Sequence, residues 1–225
     1  MNKTILKDRF WAVWHGLPHC RAYRNKMHSE ARARLDRELI RDASIIAVNC
    51  CGGEISNALG LRFNSPFVNI SMERNVFAEM CADMDRYLSG SFSAENRGGV
   101  VFGTLEAEGA APVSMTFPHD SDPAETEGNW ERRIRRLNPD KIILITDDKG
   151  LDEEHLRMFA GIDCFRKICL TSRKDWADKY ECCRLLKEYE GRPQTGTYQA
   201  KAFNGLHKFE NMWDYVGFLN GGNND

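Results

Sequence analysis

No stretch of this 225-residue sequence approaches the roughly 18 uninterrupted apolar residues that a membrane-spanning helix requires. The N-terminus has no hydrophobic run ahead of a small-residue cleavage site, so the expected location is the cytoplasm. Cys-x-x-Cys is missing, which removes the spacing of a zinc ribbon. A Walker loop is missing too, because no Gly-Lys-Ser/Thr follows the glycine pair at 52–53. Neither sign of charge is in large excess: 31 Lys/Arg stand against 33 Asp/Glu. There is therefore no global basic field, and nucleic acid is not expected as a partner.

Forty-two per cent of the residues are hydrophobic and 28% are charged, a globular balance in a chain long enough to bury a core without staples. Eight cysteines suggest a disulfide framework until their positions are read. Cys50–Cys51 and Cys182–Cys183 are adjacent pairs, and Cys20, Cys81, Cys164 and Cys169 fall in periodic apolar segments. Most read as free, buried thiols of a reducing compartment. Charge is unevenly placed. Residues 1–41 hold ten Lys/Arg and four Asp/Glu, a balance of +6, and the rest of the chain balances at −8. With Trp11 and Trp14 beside Lys7 and Arg9, that arm reads either as a solvated helix face or as a contact for anionic lipid or an acidic protein.

The domain expectation is a basic helical arm at 1–42 and a single α/β domain at 43–225. A helix is expected over 19–41, then strands and helices alternate. Strands are expected at 44–49, 67–71, 99–105, 113–117, 141–146 and 167–170. Helices are expected after Gly53, at 73–87, 122–137 and 152–159, and near 175–189 and 209–219. Residues 89–98, rich in Ser, Gly and Asn, read as a loop. This alternation implies α/β layers around a mostly parallel sheet, with one antiparallel excursion at 99–117. In such folds ligands bind beyond the carboxyl ends of strands, which selects the loops 49–54, 118–122 and 146–150.

Four constellations fall in or next to those loops. Asn49-Cys50-Cys51-Gly52-Gly53-Glu54 joins a strand to a helix. A cysteine there feels the positive helix end, which favours its thiolate, while nearby amides would hold an oxyanion or phosphate and the glycines would admit a ligand to the backbone. His119, at a strand end, would be a general base, oriented by Asp120 or Asp122. Trp130 with Arg132, Arg133 and Arg136 forms a helix face suited to an anion, with the indole free to stack on a sugar or base. Asp147-Asp148 reads either as a turn or as a divalent-metal pair. Each also has a plain structural reading: a tight turn, a surface histidine, a solvated helix end, a cap.

The order of these motifs resembles a bacterial exopolysaccharide-biosynthesis family, catalogued as a domain of unknown function. Its pattern is Asn-Cys-x-Gly-Gly, Ser/Thr-Pro, Phe-x-His, then Trp-x-x-Arg-x-x-Arg. Here these are Asn49 to Gly53, Ser65-Pro66, Phe117-Pro118-His119, and Trp130 with Arg133 and Arg136, followed by a similar Trp213-Asp214-Tyr215. The likeness spans about residues 43–220, with Asp120 standing where the family often has an aromatic residue. The resemblance implies a three-layer α/β/α fold with a mostly parallel, mixed sheet, and a role in exopolysaccharide or capsule synthesis. It also groups Cys50, His119, Arg133 and Arg136 into one site.

The leading expectation is an acyltransferase acting on a carbohydrate. Cys50 and His119 would be catalytic. Gly52, Gly53, Trp130, Arg133 and Arg136 would hold an anionic donor such as coenzyme A, and Asn49 and Ser65 would meet the substrate. No permanently bound cofactor and no metal is expected. One alternative is a glycosyltransferase whose nucleotide-sugar donor uses the same loop and arginines, with any metal on Asp147 or Asp148. The other is a non-catalytic accessory protein that meets a glycosyltransferase or the inner membrane face through residues 1–41.

Overall fold

The computed structural model describes residue 11 and residues 13–222; Lys7 and Arg9 lie outside these, as do the last three residues of the C-terminal Gly-Gly-Asn-Asn-Asp. The sheet at its centre is made of β1 (Ser44–Ala47), β5 (Ile142–Asp147), β6 (Arg166–Thr171) and β7 (Cys183–Leu185), all parallel, in the order β1-β5-β6-β7. Alternation along these strands separates two cores. Ile46, Leu144 and Cys169 face one side, where α3 (Arg74–Ala82), α6 (Glu153–Gly161) and Trp176 of α7 (Lys174–Lys179) cover them. Ile45, Ile143, Ile145, Ile168 and Leu170 face the other, under α1 (Pro18–Arg34), α2 (Cys51–Leu59) and α8 (Tyr215–Asn220). Strands buried on both faces read as near-continuous apolar runs, which is why Ile142 to Ile145 was so legible.

The antiparallel excursion is larger than its sequence signal. β2 (Ser91–Arg97), β3 (Val100–Glu106) and β4 (Val113–Phe117) form a three-stranded meander. Residues 89–98 are thus mostly a strand and not a loop. Only Phe92 and Ala94 of β2 pack against the core, so its polar outer face masks the alternation. The β2–β3 turn uses Gly98 and Gly99, both at positive φ (62° and 88°). The strand expected at 67–71 shrinks to one bridge, and that bridge is a seam. Ser71 exchanges two backbone hydrogen bonds with Thr116 of β4, at 2.8 and 2.9 Å, and the Met72 N–H donates to the Val48 carbonyl at 3.1 Å.

Four helix expectations also change: the helix over 19–41 ends at Arg34, and the segment near 209–219 holds a 3-10 turn at Lys208–Asn211 ahead of α8. The helix over 73–87 is broken at Asp83 (φ −129°) into α3 and α4 (Met84–Leu88). The segment near 175–189 holds only α7, then β7 and a 3-10 turn at Lys187–Tyr189. α5 (Pro123–Ile134) follows β4 and starts as its sequence demands, with the Asp122 carboxylate accepting the Ala124 N–H and Pro123 at the first position.

Residues 18–41 do not form a separate arm. Ala31, Leu35 and Ile40 belong to the second core. Arg32 Nε donates to the Ala58 carbonyl at 2.7 Å and Arg37 donates to that of Leu59 at 3.2 Å, so both cations cap the C-terminus of α2. Arg34 pairs with Asp214 at 2.6 Å. Trp14 packs against the Phe203 ring at a tilt of 41° and donates its Nε1–H to the Phe203 carbonyl at 2.9 Å. Among the described residues no helix is long and apolar enough to cross a membrane. All eight cysteines are free, and all but Cys50 and Cys164 are buried.

Candidate functional site

β1 ends by delivering Asn49 and Cys50 to the first turn of α2, with Cys50 in the N-cap position. β4 ends by delivering His119. The seam through Ser71 and Met72 aligns the two strand ends, and the Cys50 Sγ lies 3.4 Å from His119 Nε2. This is hydrogen-bonding range for sulfur, and it joins residues 69 positions apart. The thiol also lies 3.8 Å from the Ile70 carbonyl. His119 is exposed and Cys50 is partly so, which leaves the pair open to solvent.

The electrostatics differ from the expectation of a lowered thiol. Burial pushes the Cys50 thiol above its ordinary value, the Glu54 carboxylate one turn on adds to this, and the residue's own backbone amide opposes both. The raised pKa favours the thiol form of Cys50, so the sulfur needs a base to lose its proton.

A chain of buried polar contacts fixes the strand ends beneath the pair. Asn49 accepts the Cys51 N–H at 2.9 Å and donates to Asp147 at 3.0 Å and to the Tyr198 hydroxyl at 2.6 Å. Asp147 also accepts the Tyr198 O–H at 2.8 Å and both arms of the Arg74 guanidinium, at 2.8 and 2.9 Å. Asp148 accepts from Thr171, from the amide and hydroxyl of Ser172, and from the Thr195 N–H. Asp147 and Asp148 are thus buried structural hubs with their oxygens spoken for, which favours the structural reading of the pair over a divalent-metal one.

A family model described as "Domain of unknown function (DUF1919)" matches residues 20–220. The chain belongs to the DUF1919 family. A protein of Haemophilus influenzae, itself described as uncharacterized, is 26% identical over 190 residues, covering 83% of this chain and 88% of that protein. The family match begins inside α1, in keeping with the packing of that helix on the rest of the fold.

Several other residues singled out in this DUF1919 chain have structural roles instead. At Gly52 and Gly53 the place of a Cβ is filled by protein, so close packing accounts for both glycines without a ligand. A Cβ on Gly52 would sit 2.8 Å from that of Ala47, and one on Gly53 would sit 2.2 Å from Asn69 Oδ1. Asn49, expected at the substrate, has its carboxamide consumed by the contacts above. Ser65, also expected there, is buried and accepts the Phe67 N–H at 3.1 Å. Trp130 is a core residue. Its indole stacks on Phe92 at 4.0 Å, meets Phe67 edge-on at 5.0 Å and has no face free for a ligand. Asp120 and Asp122, expected to orient His119, bond instead to Thr126 and Ala124 at the start of α5.

The arginines divide. Arg133 packs over the Phe63 ring at 5.7 Å, and Asp120, next to His119, partly offsets the burial that lowers its pKa. Arg136 lies with Arg62 and Arg132, which add to its lowering by burial. Its Nε is buried without a hydrogen-bond partner. No hydrogen bond or ion pair joins Arg133 or Arg136 to Cys50 or His119 among the described residues.

The reading of single motifs missed Glu54, Arg74, Tyr198 and His207. Glu54 was visible only as the end of the cysteine–glycine motif. His207 Nε2 lies 3.0 Å from Glu54 Oε2, and the pair raises the imidazole's pKa and lowers the carboxyl's.

Proposed function

We propose that this chain is a transferase of exopolysaccharide or capsule synthesis that moves an acyl group through Cys50 onto a carbohydrate hydroxyl. The observation that carries this reading is the 3.4 Å approach of Cys50 Sγ to His119 Nε2 at the start of a helix. His119 takes the thiol proton as the sulfur attacks the carbonyl of a thioester donor. The Cys51 amide is taken by Asn49, and the amides of Gly52 and Gly53, which helix geometry leaves without partners further back, would stabilise the charge that develops on the carbonyl oxygen. The intermediate collapses, the donor thiol leaves with the proton from His119, and the acyl group remains on Cys50. A sugar hydroxyl then gives its proton to His119 and attacks, and Cys50 departs as the thiol. Coenzyme A suits the donor because its phosphates match the guanidinium groups of Arg133 and Arg136.

The test is intact-mass analysis after incubation with acetyl-coenzyme A. One acetyl group, mapped to Cys50 and labile to hydroxylamine, is expected in the wild type and in neither Cys50→Ala nor His119→Ala. A thermal-shift panel accompanies it. A donor at about 100 times its Kd stabilises by roughly 2.7 kcal/mol. Stabilisation by a nucleotide sugar, with no acetyl adduct, would replace acyl transfer by glycosyl transfer. No adduct and no stabilising donor would leave the accessory-protein reading.

A further inference from the structure

His207 sits between two acceptors. Its Nδ1 is 2.6 Å from the Gln199 carbonyl oxygen and its Nε2 is 3.0 Å from Glu54 Oε2. A carbonyl cannot donate, so Nδ1 carries a proton. An ionised carboxylate cannot donate either, so Nε2 carries one as well. With Glu54 ionised the ring is an imidazolium and Glu54 its counter-ion, and the contact moves both groups that way, lowering the carboxyl's pKa and, against the effect of burial, raising the imidazole's. His207 is held in this orientation from its other side, since its backbone N–H donates to Glu210 at 2.6 Å and Glu210 in turn contacts His28 of α1 at 2.8 Å. Glu54 Oε2 faces His207. The carboxylate as a whole lies one helical turn from Cys50, close enough to raise that thiol and to feel His119.

We propose that Glu54 and His207 act as a charge couple that governs when Cys50 loses its proton. The inference rests on Cys50 as the nucleophile of the reading above. Glu54 opposes a bare thiolate, so the resting thiol is protected from small electrophiles. When the Sγ–H bond breaks and the proton moves to His119 Nε2, the new imidazolium gains the same carboxylate as a neighbour. Glu54 thus disfavours thiolate formed by loss of the proton to water, and favours the cation formed by transfer to His119. His207 limits the strength of this field by neutralising part of Glu54. The titratable groups around the thiol are Glu54 on its own helix, His119 beyond β4, and His207 and Lys201 on the C-terminal segment, where Lys201 also lowers Glu54. Glu54 and His207 are positioning residues, since neither touches the sulfur.

The experiment is the rate of Cys50 alkylation by iodoacetamide at pH 7, read by peptide mass spectrometry in full-length protein. Glu54→Gln keeps an oxygen for the His207 N–H but removes the charge. Its rate should rise, by roughly threefold for each unit that the thiol pKa falls, because a tenfold gain in thiolate is partly offset by its lower nucleophilicity. His207→Gln leaves Glu54 without its counter-ion and should slow alkylation. The double variant should behave like Glu54→Gln alone, because His207 acts through Glu54. Loosening of the helix start would move both single variants in the same direction, and that result, or no change in Glu54→Gln, overturns the proposal. If His207→Gln does not fold, the full pH profile of Glu54→Gln decides, with a midpoint below that of the wild type expected and an unmoved one contrary. Alkylation does not depend on the acyl donor. An acetyl adduct with unmoved alkylation rates sinks only the couple, and moved rates without an adduct sink only the transferase.

Discussion

Gly53 and Asn69 show how closely single residues are matched beneath the site. Asn69 is at φ +58°, a left-handed conformation that asparagine tolerates better than other side chains, and its carboxamide occupies the place of a Gly53 Cβ. Together they let α2 lie close against the 67–70 segment, and so fix where Cys50 emerges. Gly53→Ala should therefore destabilise the protein by about 1–3 kcal/mol through overpacking. Adding Asn69→Gly removes the obstructing carboxamide and suits the positive φ, so the double variant should recover most of the loss. Urea denaturation checks this, and equal destabilisation of single and double variants would show that the clash is not the cause. The glycine pair was plain in the sequence, but the reason for it was not, because the atom that requires Gly53 comes from a residue with no motif around it.

At the scale of elements, α2 is held at both ends by different means. Its start is tied by Asn49 and its end by Gly60 at φ +66° and by Arg32 and Arg37 from the N-terminal segment. Arg32→Ala and Arg37→Ala should each lower stability by about 1–2 kcal/mol, in line with hydrogen bonds donated by a charged group. Urea denaturation is again the measurement, and Cys50 alkylation of the folded protein should not change. The excess positive charge of residues 1–41 was legible, but its use was not. Composition separates an arginine in a basic stretch from one in a mixed stretch, and says nothing of whether it faces water or a helix end. Similarly, Cys50 and His119 could be picked out because strand ends and turn residues mark the loops that carry them. Glu54 and His207 meet only through tertiary packing, and no local periodicity joins them. β2 escaped notice because a strand with one weakly apolar face looks like a loop, and β7 because the short run Cys182–Leu186 suits a helix equally well.

Over the whole molecule, the Glu54–His207 pair is a pH-dependent clasp between α2 and the C-terminal segment. Glu54 has a lowered pKa, so its contribution is complete above the ordinary value of 4.5 and is lost as pH falls through the folded value. His207 has a raised pKa, so its contribution is complete below the ordinary value of 6.5 and is lost as pH rises through the folded value. Both are fully present between 4.5 and 6.5. The Tm difference between wild type and His207→Gln should be largest in that window and shrink on either side. A difference that is flat with pH would remove the ion pair as its source.

The seam at Ser71 and Met72 has a mechanical consequence. It is where backbone hydrogen bonds connect the meander to β1 among the described residues, and Val48 and Thr116 lie two and three positions before Cys50 and His119. The gap between sulfur and imidazole is therefore set by this seam, and a substitution that shifts the seam would change the gap without touching either side chain.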